Sequence, residues 1–322
     1  MRSALDESAR QTMQPIRRVA VVAESTCCLP PALAQRYGVD ILPIPYSIGD
    51  TVYRDGVDLS PAQFYELLRH ARTIPQTSPP SAGEYLEVWE RAAQRGEDVV
   101  TVCVDGSIST MQRSTRLALQ LASEALPGAG IRVVDSRSAG MGQGFVALAA
   151  ARAAAAGAPL DAVDAEATRV SRRIRLLVTL DTLDYLARAS RIPQVAAIVG
   201  GMLSIKPIFV LGGGDVQVLE RVRARKRSIR RLLERLRAMV PAGARLHAAV
   251  QHADAEVEAR ALEQVIREQF DCAELYTTEF TPVMGGYCGP GLLGVAFYAD
   301  LPGEATDEAT GEATDEATDD GC

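Results

Sequence analysis

What most constrains this chain is a repeated unit: a short apolar run of strand length, a polar turn, then a helical pattern. Arg18-Val19-Ala20-Val21-Val22-Ala23 reads as a buried strand. It ends at Glu24-Ser25-Thr26-Cys27-Cys28-Leu29-Pro30-Pro31, whose prolines suit the first turn of a helix to about Tyr37. Val99-Val100-Thr101-Val102-Cys103-Val104 leads through Ser107-Ile108-Ser109-Thr110 into a helical pattern from about Met111 to Leu126, and Ile131-Arg132-Val133-Val134 is another short strand. Between the first two, Val39 to Ile48 is a strand candidate, Gly49-Asp50 a turn into Thr51-Val52-Tyr53, and Ser60-Pro61 opens a helix to about Arg72. Strands alternating with helices predict a parallel or mixed α/β first half.

The second half reads differently. A helix near Pro159 to Arg173 precedes the strand Arg175 to Leu180, helical segments at Thr182 to Arg188 and Pro193 to Val199 follow, and Leu203 to Leu211 and Val216 to Val222 flank the hairpin turn Gly212-Gly213-Gly214-Asp215. Strands at Arg245 to Gln251, Ala273 to Thr277 and Leu292 to Tyr298, with a helix from Asp254 to Gln269, make this half α+β. A chain of 322 residues is long enough for two domains. We expect a short disordered N-terminus at 1–15, an α/β domain at 16–160, an α+β domain at 161–302 and a disordered acidic tail at 303–322.

Charge matters because it is unevenly placed. The net charge is −7, yet Glu304, Asp307, Glu308, Glu312, Asp315, Glu316, Asp319 and Asp320 supply more negatives than that, so the body is close to neutral. The residues before Pro15 carry Arg2, Asp6, Glu7 and Arg10 and no apolar signal region, and the longest apolar tract, Phe145 to Ala156, is Ala-rich and interrupted by Arg152. We therefore expect a cytoplasmic protein without stable membrane insertion. Six cysteines at 27, 28, 103, 272, 288 and 322 show no CxxC spacing, so neither a metal site nor a disulfide framework is indicated. Gly140-Met141-Gly142-Gln143-Gly144 has its third glycine too early for a dinucleotide loop and reads as close packing of a turn.

The candidate site begins at Pro75-Gln76-Thr77-Ser78-Pro79-Pro80-Ser81. Each proline fixes its own φ and pushes the preceding residue toward extended geometry, so the hydroxyls are presented. Ser81 with Glu84 is a capping box that starts a helix and leaves backbone N–H groups in its first turn, a place for an anion. Ser109 follows a strand and precedes a helix in the same way, and ligands sit at such strand ends in open α/β sheets. For Ser81 capping is the reading; for Thr77, Ser78 and Ser109 the residues alone leave capping and ligand binding both open.

Seven landmarks in order make the chain resemble the DegV family of bacterial fatty-acid-binding proteins. They are Glu24-Ser25-Thr26-Cys27-Cys28-Leu29-Pro30, Thr77-Ser78-Pro79-Pro80-Ser81, Ile108-Ser109-Thr110-Met111, Val134-Asp135-Ser136, Thr182 to Ile192, Ser204-Ile205-Lys206-Pro207-Ile208 and Gly289-Pro290-Gly291. The resemblance spans about residues 16–302 and implies a two-domain DegV-like α/β fold with a fatty acid buried between the domains. It further implies that the carboxylate is held by Thr77, Ser78 and Ser109, with Thr110 and Tyr287 completing the expected set. Some members of the family present the acyl carboxylate to a separate ATP-dependent fatty acid kinase, which makes acyl phosphate for phospholipid synthesis. The resemblance thus implies a non-catalytic carrier whose partners are a long-chain fatty acid and a kinase subunit, with no cofactor and no metal. Three positions depart from the family pattern. Tyr287 stands in place of a histidine and supplies no positive charge, Thr110 replaces a glycine, and Ala189-Ser190-Arg191-Ile192 replaces Gly-Gly-Arg-Ile.

The run from Arg221 to Arg237 has two readings. One is the solvated face of a helix packed through Ile229, Leu232, Leu233 and Leu236; the other is a docking surface for an acidic or phosphate-bearing partner, with Arg191, Arg221, Arg223, Arg225 and Lys226 as candidates. Nucleic acid is disfavoured, because no aromatic residues interleave the basic ones. Two other functions compete with the carrier: an enzyme acting on a phosphorylated or acyl metabolite with Ser109 as nucleophile, and a lipid sensor without a kinase. Against the enzyme, His70, His247 and His252 lie far from the motifs and Ser109 lacks a Gly-x-Ser-x-Gly elbow.

Overall fold

The structure is a computed structural model that describes residues 17–71, 73–189 and 205–300. In chain order its first half comprises β1 (Val19–Glu24), α1 (Pro31–Tyr37), β2 (Val39–Leu42), β3 (Pro45–Ile48), β4 (Thr51–Arg54), α2 (Pro61–His70), β5 (Gln76–Thr77), α3 (Ala82–Gln94), β6 (Asp98–Cys103), α4 (Met111–Ala125), β7 (Ile131–Asp135) and α5 (Met141–Ala155). The second half comprises α6 (Leu160–Arg173), β8 (Arg175–Thr179), α7 (Asp184–Ala189), β9 (Lys206–Gly212), β10 (Asp215–Val222), α8 (Arg225–Met239), β11 (Leu246–His252), α9 (Glu256–Gln269), β12 (Cys272–Glu279), α10 (Pro282–Cys288) and β13 (Leu293–Ala299).

Three sheets result. A parallel sheet runs β2-β1-β6-β7, a small antiparallel sheet runs β4-β3-β5, and a mixed sheet runs β10-β9-β8-β13-β11-β12, antiparallel except where α9 crosses from β11 to the parallel β12. The capping residues start helices where their chemistry predicts. Ser60 with Gln63 and Ser81 with Glu84 both close capping boxes, and Pro31 and Pro61 occupy first helical turns.

The mixed sheet divides its residues by the two-residue period of a strand. Leu177, Ile208, Val210, Ala248, Val250, Val295 and Phe297 pack against Leu232 and Leu236 of α8 and Leu262 and Ile266 of α9. The alternate positions Leu176, Phe209, Leu211, Ala249, Ala296 and Tyr298 join a different core with α5 and α6. That core also takes Val19, Val21, Val100 and Val102 from the parallel sheet, so α5 lies between the two sheets. An Ala-rich helix with no polar stripe suits that position, since every face meets protein and small side chains allow close approach. Gly140 leads into it with φ +57°, and an added Cβ would press on the Gln251 amide, whose Oε1 accepts from the Met141 N–H at 2.9 Å. The glycines at 140–144 are packing residues, as expected.

One expectation needs correction. Val39 to Ile48 is not one strand: Pro43 and Pro45, which have no N–H to donate, break it, and β2 joins the parallel sheet while β3 joins the antiparallel one. The strand expected at Val216 to Val222 is β10, so Arg221 lies within it, paired with Pro207 of β9, and only the part of the arginine-rich run from Arg225 on is helix. Finally α10 was unforeseen: Pro282 at its first turn is a start signal, but Gly285 and Gly286 conceal the helical pattern. The helix expected at Pro193 to Val199 lies outside the described residues. Among the described residues no helix is long and apolar enough to cross a membrane.

Candidate functional site

Thr77 sits in β5, a two-residue strand held against β3 by the pairing of Thr77 with Tyr46 and by the Ser78 N–H donating to Pro45 O at 3.0 Å. Pro75, Pro79 and Pro80 leave the segment few other conformations. Thr77 is half-buried and Ser78 exposed. The Thr77 hydroxyl is hydrogen-bonded to the hydroxyl of Tyr287, 210 residues away on α10.

What brings Tyr287 there is a buried carboxylate. Asp55, only 1% exposed, accepts from Ser25 Oγ at 2.6 Å and from the Val283 N–H at 3.0 Å, so it joins the end of β1, the end of β4 and the first turn of α10. Ser25 Oγ in turn accepts from the Ile44 N–H at 3.1 Å. Burial pushes the Asp55 carboxyl up from its ordinary value, and the Ser25, Val283 and Thr281 hydrogen bonds pull it back. Helix α10 then lies close against α2: a Cβ on Gly285 would collide with the Tyr65 hydroxyl, which donates to Phe280 O at 3.2 Å. Glu24 is a second buried carboxylate, accepting from Tyr85 at 2.5 Å and the Val104 N–H at 2.8 Å; burial raises it, and these bonds oppose the rise.

Tyr287 leads into Gly289-Pro290-Gly291, which seats against α7 through the Tyr185 ring and against Asp181. The Gly291 N–H donates to Ala253 O at 2.7 Å, and Asp181 pairs with Lys206 at 2.6 Å. Three landmarks distant in sequence, at 181–189, 205–208 and 289–291, therefore meet at one corner.

The Ser109 turn is built by its own residues together with Asp135 at the end of the neighbouring β7. Asp105 accepts from the Ser107 N–H at 2.7 Å, Asp135 accepts from Gln112 Nε2 at 2.6 Å and from the Gly106 N–H at 3.3 Å, and Ser109 Oγ accepts from the Met111 N–H at 3.2 Å. Ser109 thus satisfies the first N–H of α4 from the position before its N-cap, Thr110, whose own side chain makes no capping bond. Thr110 is exposed and has φ −96°, ordinary backbone for any residue, so replacing the family's glycine strains nothing.

The structure brings Thr77 and Tyr287 into contact, leaves Ser78 exposed beside them, and places Ser109 and Thr110 on a separate turn. Sequence reasoning missed Asp55, Ser25 and Tyr65, which position the corner. Asp55-Gly56 reads as an ordinary turn, and nothing in it signals a buried carboxylate. Of the docking candidates, Arg225 is engaged by Glu258 at 2.5 Å, Arg221, Arg223 and Lys226 are exposed, and Arg191 lies outside the described residues. His70 pairs with Glu66, His247 lies between Glu274 at 2.7 Å and Asp300 at 3.0 Å, and His252 receives the Ala255 N–H at 3.4 Å, so all three are engaged away from Ser109. No group of His, Cys, Asp and Glu among the described residues is arranged to hold a metal ion.

Residues 18–300 match the model of a family described as "Uncharacterised protein, DegV family". A DegV domain-containing protein of Streptomyces coelicolor is 34% identical over 281 residues, covering 87% of this chain and 98% of the relative. A DegV family protein from Thermus thermophilus, whose solved structure is described as showing fatty acid binding, aligns with a TM-score of 0.81 at 29% identity, covering 88% of this chain and 100% of that one. Bacillus subtilis DegV, described as a fatty acid binding protein, aligns with a TM-score of 0.79 at 26% identity over the same shares.

Proposed function

This chain belongs to the DegV family, and from that premise we propose that it binds one long-chain fatty acid, with the carboxylate at the Thr77 corner and the acyl chain buried between two domains at 16–160 and 161–302. The observation that carries the reading is the Thr77–Tyr287 hydroxyl pair. The pair sets two hydroxyl groups side by side, each able to donate a hydrogen bond, and a carboxylate is an acceptor only. Ser109 offers another donor, because its oxygen accepts from Met111 and its proton remains available; Ser78 and Thr110 supply further exposed hydroxyls. The fatty acids bound by the Thermus and Bacillus relatives support this assignment.

The acyl chain supplies the affinity. Burying about fourteen methylenes at roughly 0.8 kcal/mol each gives an upper bound near 11 kcal/mol before ordering costs. The hydroxyls offset desolvation of the carboxylate and fix which end faces out. The protein acts as a cytoplasmic carrier without catalysis of its own, presenting the carboxylate to an ATP-dependent kinase that forms acyl phosphate for phospholipid synthesis. All three histidines are engaged away from Ser109, which supports a binding role over a serine–histidine nucleophile. The test is displacement of a fluorescent long-chain fatty acid by unlabelled oleate and by methyl oleate. Oleate should displace it at stoichiometric concentrations and the ester at least tenfold less well. Equal potency would remove the carboxylate site, and no displacement by either would remove the carrier.

A further inference from the structure

The basic residues around α8 divide sharply by partner. Arg225 is held by Glu258 at 2.5 Å, Arg231 and Arg235 are held by Glu220 at 2.6 and 2.5 Å, and Arg237 is bonded to Gln269. Arg221, Lys226 and Arg227 are exposed, and none forms an ion pair with a carboxylate of the described residues. Arg230, also exposed, reaches Glu234 only at 3.6 Å, and Arg231 takes the same carboxylate at 2.5 Å. Lys226, Arg227 and Arg230 lie within one turn on one outward face of α8, with Arg221 just before the helix. The structure satisfies the inner arginines and leaves the outer cations for something else.

Residues 303–322 carry eight acidic side chains and no Lys or Arg. The chain leaves the described fold at Asp300, whose N–H donates to Arg245 O at 3.0 Å, and Arg245 follows shortly after Met239, where α8 ends. Asp300, the last described residue before the acidic segment, is thus held to a residue six positions beyond the C-terminal end of the basic helix. A helix of this length rises about 22 Å and the six residues from Met239 to Arg245 add at most about 20 Å, whereas an extended chain covers about 3.3 Å per residue, so Asp315 and every later acid can reach the far end of the helix.

We propose that the acidic segment 303–322 is the ligand of the basic face of α8, lying along it within the same molecule and neutralising it. That face is then an acidic-peptide site occupied by its own chain, and an outside acidic partner must displace the segment to use it. Contacts of this kind weaken as salt rises. This assignment does not depend on what the Thr77 corner binds.

The chain contains only two lysines, Lys206 and Lys226, and Lys206 is already paired with Asp181, which makes the test selective. Carbodiimide treatment of the full chain, with the linked peptides mapped by mass spectrometry, joins carboxylates to adjacent amines with loss of water. The expected product is a monomer in which the acids from Asp315 to Asp320 are linked to Lys226 at least tenfold more than to Lys206 or the terminal amine, with the links lost in molar salt. Tail links spread evenly over the three amines, absent altogether, or found only between molecules would overturn the proposal. The triple variant Arg221→Gln/Arg227→Gln/Arg230→Gln keeps Lys226 and should reduce its tail links severalfold; unchanged yield would also overturn it.

Discussion

Thr77 and Ser109 are both hydroxyls at a bend before a helix, yet the protein holds them by opposite means. Thr77 is placed by residues far away in sequence: β3 fixes its backbone, and Asp55, through Val283, brings Tyr287 to its side chain. The hydroxyl of Ser109 is engaged within its own turn, by the Met111 N–H, while Asp105 and, from the adjacent strand β7, Asp135 hold the backbone and Gln112 around it. The difference teaches that similar local sequence can serve two purposes. A hydroxyl satisfied within two residues first serves its own turn, whereas one satisfied across 210 residues marks a junction that the whole fold has been arranged to form.

The comparison breaks most easily at Asp55. Asp55→Ala removes the acceptor for two buried donors, Ser25 Oγ and the Val283 N–H, and should cost about 3–4 kcal/mol in denaturant unfolding together with most fatty-acid affinity. A loss below about 1 kcal/mol would mean that α10 is anchored by other contacts.

A second long-range network sharpens the comparison because it lies away from the corner. Burial alone would raise the Glu274 carboxyl, but hydrogen bonds from His247 and Arg152, and the charge of Arg152, pull it down to about 2. A carboxyl lowered in the folded state contributes stability that is present above its ordinary value near 4.5 and is lost as pH falls toward 2. Glu274→Gln should therefore lose on the order of 3 kcal/mol at pH 7, with the gap from the native chain closing between about pH 4.5 and 2, while fatty-acid affinity is unchanged. A matching loss of affinity would show that distance in sequence, and not the corner itself, sets the effect.

Smaller effects separate the two hydroxyls. Tyr287→Phe and Thr77→Val should each weaken fatty-acid binding about tenfold, one hydrogen bond to a charged group, while unfolding shifts by less than about 1 kcal/mol. Ser109→Ala should cost about 1 kcal/mol of stability through the lost bond to the first N–H of α4 and about fivefold in affinity. A stability loss with affinity intact would restrict Ser109 to supporting the start of α4.

Much of the architecture was legible because it is written in local chemistry. The capping serines at 60 and 81, the Gly212–Asp215 turn and the buried run of β6 each specify their own element. What was hidden is long-range: Pro43 sends one apolar stretch into two sheets, and two glycines, Gly285 close against Tyr65 and Gly286 against Pro75, disguise α10 as a loop. At the site, the hydroxyls could be named from the sequence, but the Asp55 network that joins them could not. A carboxylate beside glycine looks like a surface turn until the fold shows it 1% exposed.

The most direct measurement of the central claim is native mass spectrometry of the purified chain, followed by denaturation and identification of the released molecule, for the native protein and for Thr77→Val/Tyr287→Phe. The account predicts one long-chain fatty acid per native chain and a largely empty double variant that still folds. A native chain that carries no fatty acid and takes up none when it is added would contradict it.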